Sequence, residues 1–317
     1  MSECFLVTGS EGCLGSWVVK RLLERGERCV ALDLSSEAAR LRRLAADEDL
    51  AAVAFVRGDI LEDGLLTRVI EAHDVTRVVH LAALQIPLVA ADPVRGAEVN
   101  VVGTLRIFEA VRSGWPQIRG LAYASSAAAF GPDGLIAPVT LYGVFKVCNE
   151  ETARVFAADY GVASVGLRPW AVFGPGRDQG LTAAPTHALK AVALGLPYRI
   201  PFGGRLDLQY APDVADAFVA AALAEPSGAL VANLRGSVLT IEEFIQAVEE
   251  VWPDARGLLT YGGGPLPVAA ELDDTMLPGL LGDVSRTDLA LAIRKTIEHF
   301  ATRVRLGTLH AAELATT

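Results

Sequence analysis

Six short apolar runs, separated by longer amphipathic stretches, set the limits on what this chain can become. Cys4–Thr8, Cys29–Asp33, Val53–Val56, Arg77–Leu81, Gly120–Ala124 and Ser164–Arg168 each have the length and apolar content of a buried strand. Between them, stretches such as Leu14–Arg25 and Val94–Arg112 carry apolar residues at three- and four-residue intervals, the period of a helix facing a core. Strict strand and helix alternation demands right-handed crossovers, which gives an α/β, doubly wound parallel sheet over residues 1–175. Ligands of such sheets bind beyond the carboxyl ends of the strands.

After Gly174-Pro175-Gly176 the rhythm loosens. Residues 176–306 read as a smaller, substrate-binding lobe interleaved with the core, with helices expected at Asp213–Ala224, Thr240–Val251 and Thr287–Thr302. Residues 307–317 read as a flexible tail. No apolar run reaches the ~18 residues of a bilayer span. The net charge of -10, from 38 acids and 28 bases, argues against nucleic acid or an anionic membrane as partner. Cys4, Cys13, Cys29 and Cys148 form no C-x-x-C pair and no metal-ligand spacing, so no metal is expected. The N-terminal residues enter the first strand without a signal peptide's basic and apolar regions, and a cytoplasmic protein with reduced thiols is the expectation.

Thr8-Gly9-Ser10-Glu11-Gly12-Cys13-Leu14-Gly15 joins the first strand to the first helix. Gly9, Gly12 and Gly15 let the backbone turn tightly and approach a pyrophosphate, which then rests on the helix N-terminal amides of Cys13 and Leu14. Asp33 lies 18 residues after Gly15, at the end of the next strand, where its carboxylate can accept from ribose hydroxyls and repel a 2′-phosphate. The sheet is therefore Rossmann-type and the expected cofactor is NAD rather than NADP. Arg40, Arg42 and Arg43 fall in the stretch that should form the following helix and read as a solvated face. The Cys13 thiol, although at a helix N-terminus, reads as a packing residue. Asp59 precedes Glu62 and Asp63 and by itself reads as an N-cap. Asn100 sits inside a helical stretch, a poor place for Asn unless its amide holds something.

Tyr142 and Lys146 lie four apart, on one face of a helix. A phenol is a poor base at neutral pH, and an ammonium close by stabilises the phenolate, so the pair makes a workable general base. With six tyrosines and four lysines in 317 residues, chance would supply roughly 0.08 such pairs.

The G-x-x-G-x-x-G spacing resembles the extended short-chain dehydrogenase/reductases, the NAD-dependent epimerase/dehydratase family. Further motifs carry the resemblance: Gly58-Asp59-Ile60, His80-Leu81-Ala82-Ala83, Asn100-Val101-Val102-Gly103-Thr104, Ser125-Ser126 with Phe130-Gly131, Tyr142 to Lys146, Leu167-Arg168, and Tyr210 with Asp213-Val214-Ala215. The resemblance implies adenine contacts from Asp59 and Ile60, and a nicotinamide-ribose wall from Leu81, Ala82 and Ala83. It adds Asn100 and Pro169 to the cofactor set and has Lys146 hold ribose hydroxyls. Ser126 becomes the residue that orients the reacting hydroxyl, with Ser125 a weaker candidate. It also implies a homodimer, through the helices near Val94–Arg112 and Tyr142–Tyr160.

The chain departs from the family's nucleotide-sugar members at two points. Ala171 stands where they usually carry an Asn that holds the substrate diphosphate, and Leu206 where they carry an Arg, with Arg205 one place off. A smaller carbohydrate-like substrate follows: a sugar, sugar acid or polyol, met by Gln85, Arg177, Gln179 and, after a one-residue slip, Arg205. The residues thus point first to an NAD-dependent dehydrogenase oxidising a secondary alcohol. The alternative is a sugar epimerase or dehydratase that retains its NAD, and a third reading is a non-catalytic NAD-binding sensor.

Overall fold

The computed structural model describes residues 3–315 apart from 115, 283 and 285. The expected strands form as β1 (Cys4–Thr8), β2 (Arg28–Asp33), β3 (Val53–Arg57), β4 (Arg77–His80), β5 (Gly120–Ala124) and β6 (Ser164–Arg168). The second half adds β7 (Ala171–Phe173), β8 (Tyr198–Ile200), β9 (Arg205–Tyr210), β10 (Ala229–Asn233), β11 (Ser237–Thr240) and β12 (Leu259–Tyr261). The central sheet has seven parallel strands in the order β10-β6-β5-β4-β1-β2-β3. Its order reverses between β1 and β4, which opens the ligand crevice above those two carboxyl ends.

The strands read as unbroken apolar runs because both faces are covered. Phe5 and Val7 pack with Val18, Leu22 and Phe218 on one face, whereas Cys4 and Leu6 pack with Ile107, Phe108 and Val111 on the other. The C-terminal lobe has its own core around β11-β9-β7, with Leu206, Leu208, Phe244 and Ile293 buried in it. Among the described residues no helix is long and apolar enough to cross a membrane.

The helix expected over Val94–Arg112 is broken. Pro93–Ala97 is followed by a widened π turn at Glu98–Val102 and then by the helix Gly103–Ser113. Asn100 sits in that turn and turns its amide to the backbone of Leu84, accepting from N–H at 2.7 Å and donating to C=O at 2.9 Å. Such single π turns inside helices are rare and occur frequently at functional sites. No helix carries Arg40–Arg43 either: Ala38 takes a left-handed φ of 53°, and only a 3-10 turn forms at Leu41–Arg43. Residues 307–315 pack back on the lobe, with Leu309 buried and Glu313 3.2 Å from Arg303.

Candidate active site

The loop after β1 is shaped by what cannot fit in it. A Cβ on Gly15 would lie 2.0 Å from the Gly9 carbonyl oxygen, and one on Gly9, whose φ is 71°, would lie 2.6 Å from the Ala82 nitrogen. The loop therefore presses against Leu81 and Ala82 at the end of β4 and feeds straight into the helix Cys13–Glu24. Such a backbone cradle at a helix N-terminus fits a dinucleotide pyrophosphate. Asp33 caps the cradle, accepting from Glu11 N–H at 2.9 Å and from its neighbour Leu34 N–H at 2.7 Å. The Cys13 thiol is held up at about 11 by burial, which leaves it inert as its packing role requires. Asp59 accepts from Leu61 N–H at 2.9 Å and pairs with Arg95 at 3.0 Å, while Ile60 is buried against Gly103.

Ser126 and Tyr142 are joined through one turn. The Ser126 hydroxyl accepts from Ala128 N–H at 3.1 Å, capping the 3-10 turn Ala127–Ala129, and Pro169 C=O accepts from Ala127 N–H at 2.9 Å. Thr140 caps the helix Leu141–Tyr160. Gly143, next to Tyr142, sits so close that a Cβ there would be 2.1 Å from the Ala128 carbonyl oxygen. Lys146 is only 3% exposed; its ammonium donates to Ala124 C=O at 2.6 Å and lies 5.3 Å from the centre of the Tyr142 ring. A hydroxyl, a phenol and a fixed cation thus gather at the carboxyl edge of β5.

Behind them runs a buried polar network. The His80 ring joins Thr8 Oγ1 at 2.7 Å to Thr104 Oγ1 at 3.1 Å, Thr104 donates to Asn100 C=O, and Asn149 donates to that carbonyl and to Thr104. Burial, reinforced by the Lys146 charge, lowers the His80 imidazole to about 3 and keeps it neutral. Ser125 belongs to this hidden layer rather than to a substrate surface. It is 2% exposed and donates to the Glu150 carboxylate, which Arg168 grips through Nε at 2.7 Å and Nη2 at 2.6 Å. Ser125 and Ser126 follow one another on an extended chain and so face opposite ways.

The family model that describes the NAD dependent epimerase/dehydratase family matches residues 5–232. The chain belongs to this family. A UDP-glucose 4-epimerase of Mycolicibacterium smegmatis is 31% identical over 315 residues, covering 93% of this chain and 97% of that protein. The solved Thermus thermophilus UDP-glucose 4-epimerase with NAD is 28% identical at a TM-score of 0.76, covering 94% of this chain and 98% of that one. An L-threonine dehydrogenase of Clostridium difficile shares the fold at a TM-score of 0.80 and 19% identity, covering 95% and 98%. As a member of the epimerase/dehydratase family the chain is an NAD-dependent enzyme, which sets aside the sensor reading.

Ala171 is fully buried in β7. Leu206, 1% exposed, lies on the core face of β9 with Leu208 and Tyr210, and Arg205 points the other way along the strand. Arg205 is exposed and pairs with Glu271 at 2.8 Å. Gln85, from the loop after β4, and Arg177, from Gly180's own loop, both lie against Gly180. Asp178 pairs not with Arg177 but with Arg40 at 2.6 Å. Arg40 also donates to the Glu11 carbonyl of the glycine loop, and is no solvated helix residue. Gln179 lines the same small cavity as Arg177 and Asp178. The Glu150–Arg168 pair and the His80 network escaped sequence reading; the only signal was the unusual run of polar residues inside otherwise apolar motifs.

Proposed function

We propose that this protein is an NAD-dependent sugar epimerase or dehydratase, whose oxidation of a secondary hydroxyl is transient and whose cofactor is retained. The observation that carries the reading is the joined Ser126, Tyr142 and Lys146 assembly at the carboxyl edge of β5. Support for a retained hydride over net dehydrogenation comes from the 31% identity to a UDP-glucose 4-epimerase over nearly the whole chain. This reverses the order in which sequence alone ranked the two.

Gly9, Gly12 and Gly15 with the amides of Cys13 and Leu14 would receive the pyrophosphate, and Asp33 the adenosine ribose. When bound, NAD supplies a hydride acceptor for the carbinol carbon. Ser126 orients the substrate hydroxyl, and Tyr142 takes its proton as general base. Lys146, pinned by Ala124, holds its charge beside the phenol without needing to reorganise, so the electrostatic stabilisation is built in before the substrate arrives. The His80 network fixes the π turn and, through Asn100, the Leu84 loop that walls the cofactor crevice.

The substrate is a sugar or sugar acid not gripped through a nucleoside diphosphate, because Ala171 and Leu206 offer neither an amide nor a charge. The same two residues favour, as a second reading, a net dehydrogenase of a small hydroxy compound. The enzyme works as a homodimer. Val102, Leu105, Val144 and Val155 leave apolar surface exposed on the two helices expected to pair. Incubation with NAD and a panel of free sugars, sugar acids and UDP-sugars, followed by NMR of the products and absorbance of NADH, tests the reading. Epimer or dehydrated product without net NADH supports it, and NADH accumulating mole for mole with oxidised sugar replaces it with the dehydrogenase.

A further inference from the structure

We infer that the chain carries a second anion site, for the phosphate of a small phosphomonoester, in the cavity between the loop after β7 and the helices Ala184–Leu194 and Leu289–Arg305. The cavity measures about 320 Å³, and none of Ser126, Tyr142 and Lys146 lines it. Five cations do: Arg40, Arg43, Arg177, Lys190 and Arg303. Among the described residues two carboxylates face them. Asp178 is taken by Arg40 at 2.6 Å, and Glu313 by Arg303 at 3.2 Å. His299 also lines the cavity but is lowered to about 4, chiefly by burial, and contributes no charge at neutral pH.

Three cations are left over. Arg43 is exposed at the mouth, and Arg177 spends one nitrogen on Thr182 Oγ1 at 2.8 Å while its buried Nε has no partner. Lys190 is the most telling. It is 5% exposed, yet among the described residues nothing accepts a hydrogen bond from its ammonium, whose near neighbour is the Phe300 ring at 5.7 Å. The side chain is buried but its ammonium faces the cavity, where the charges of Glu313 and Asp178 offset its desolvation only in part, and a confined ammonium without a fixed acceptor favours an anion beside it. The chain has only four lysines and a net charge of -10, so such a surplus of positive charge is not background. Two forked guanidinium groups around a compact ammonium suit a phosphate dianion, and the volume leaves room for a small organic remainder.

The inference does not rest on the catalytic reading, and its test keeps the two apart. Calorimetric titration with inorganic phosphate and with glycerol 3-phosphate, at matched ionic strength, is done on protein saturated with NAD so that the pyrophosphate cradle is filled. One saturable site is expected. Lys190→Met should weaken it at least tenfold while keeping the NAD content. Arg43→Gln, a surface change that spares the fold, should weaken it severalfold. Glycerol 3-phosphate should bind at least as well as inorganic phosphate. The inference is overturned by no saturable binding to the wild-type chain, by binding that vanishes once NAD is saturating, or by undiminished affinity in folded Lys190→Met. It is equally overturned if Lys190→Met sheds NAD, since the lysine would then serve the dinucleotide.

Discussion

Replacing Gly143 by Ala should separate the general base from the residue that orients the substrate. Its Cβ would stand 2.1 Å from the Ala128 carbonyl oxygen and 2.8 Å from Pro138 Cβ. Carbon and carbonyl oxygen approach no closer than about 3.3 Å, so the Tyr142 helix must withdraw by about 1 Å from the turn that Ser126 caps. Two effects compete in stability. Ala gains about 1 kcal/mol of helix propensity over Gly, whereas overpacking against a backbone that cannot give costs about 1–3 kcal/mol. The net is a modest loss, and urea unfolding should show it. The rate suffers more, since a displacement of about 1 Å between reacting groups can cost about 10²-fold. Because the cradle at Gly9 to Gly15 is untouched, NAD content should stay at the wild-type level. The control is Gly279→Ala, also in a helix but with open space around the new methyl, which should lose neither rate nor stability. Turnover of Gly143→Ala within a few-fold of wild type would refute the argument that this contact sets the catalytic geometry.

Other expectations follow from single groups. Tyr142→Phe should fold and hold NAD but lose at least ~10²-fold in rate, and near-normal turnover would remove Tyr142 from the mechanism. Asp33→Ala removes the acceptor of Glu11 N–H and the charge proposed to exclude a 2′-phosphate, so the ratio of kcat/KM for NAD over NADP should narrow; an unchanged ratio would assign the preference elsewhere. Asp207, buried in β9, is raised from 3.8 to about 6 chiefly by burial. A carboxyl raised on folding stabilises below its unfolded value, and that contribution is lost as pH rises through the folded one. Wild-type stability should therefore fall relative to Asp207→Asn between pH 4 and 6, by an amount on the order of 2 kcal/mol. Parallel profiles in urea unfolding at several pH values would sink it.

The six strands and the Tyr142 helix were legible because both are local patterns: apolar runs covered on two faces, and a four-residue spacing. Asn100 is out of place in a helix by type alone, but its partner is the Leu84 backbone, 16 positions away in sequence, and no periodicity reports such a pairing. The helix through Arg40–Arg43 failed because the left-handed Ala38 broke it, in a stretch whose composition is otherwise helical. Arg40 then became a bridge between the glycine loop and Asp178, a contact across 138 residues. Strand β10 went unread for a similar reason. Its place beside β6 depends on the whole second half folding back onto the first. Arg205 and Leu206 alternate at the start of β9, one exposed and one buried, and only the fold shows which is which.

The central claim is that the hydride is lent and returned, with NAD held throughout. Freshly purified protein, denatured and extracted, should release close to one dinucleotide per chain, and the same protein should convert substrate over many turnovers with no NAD added. A chain that releases almost none, and turns over only while NAD is supplied and NADH accumulates, would contradict the account.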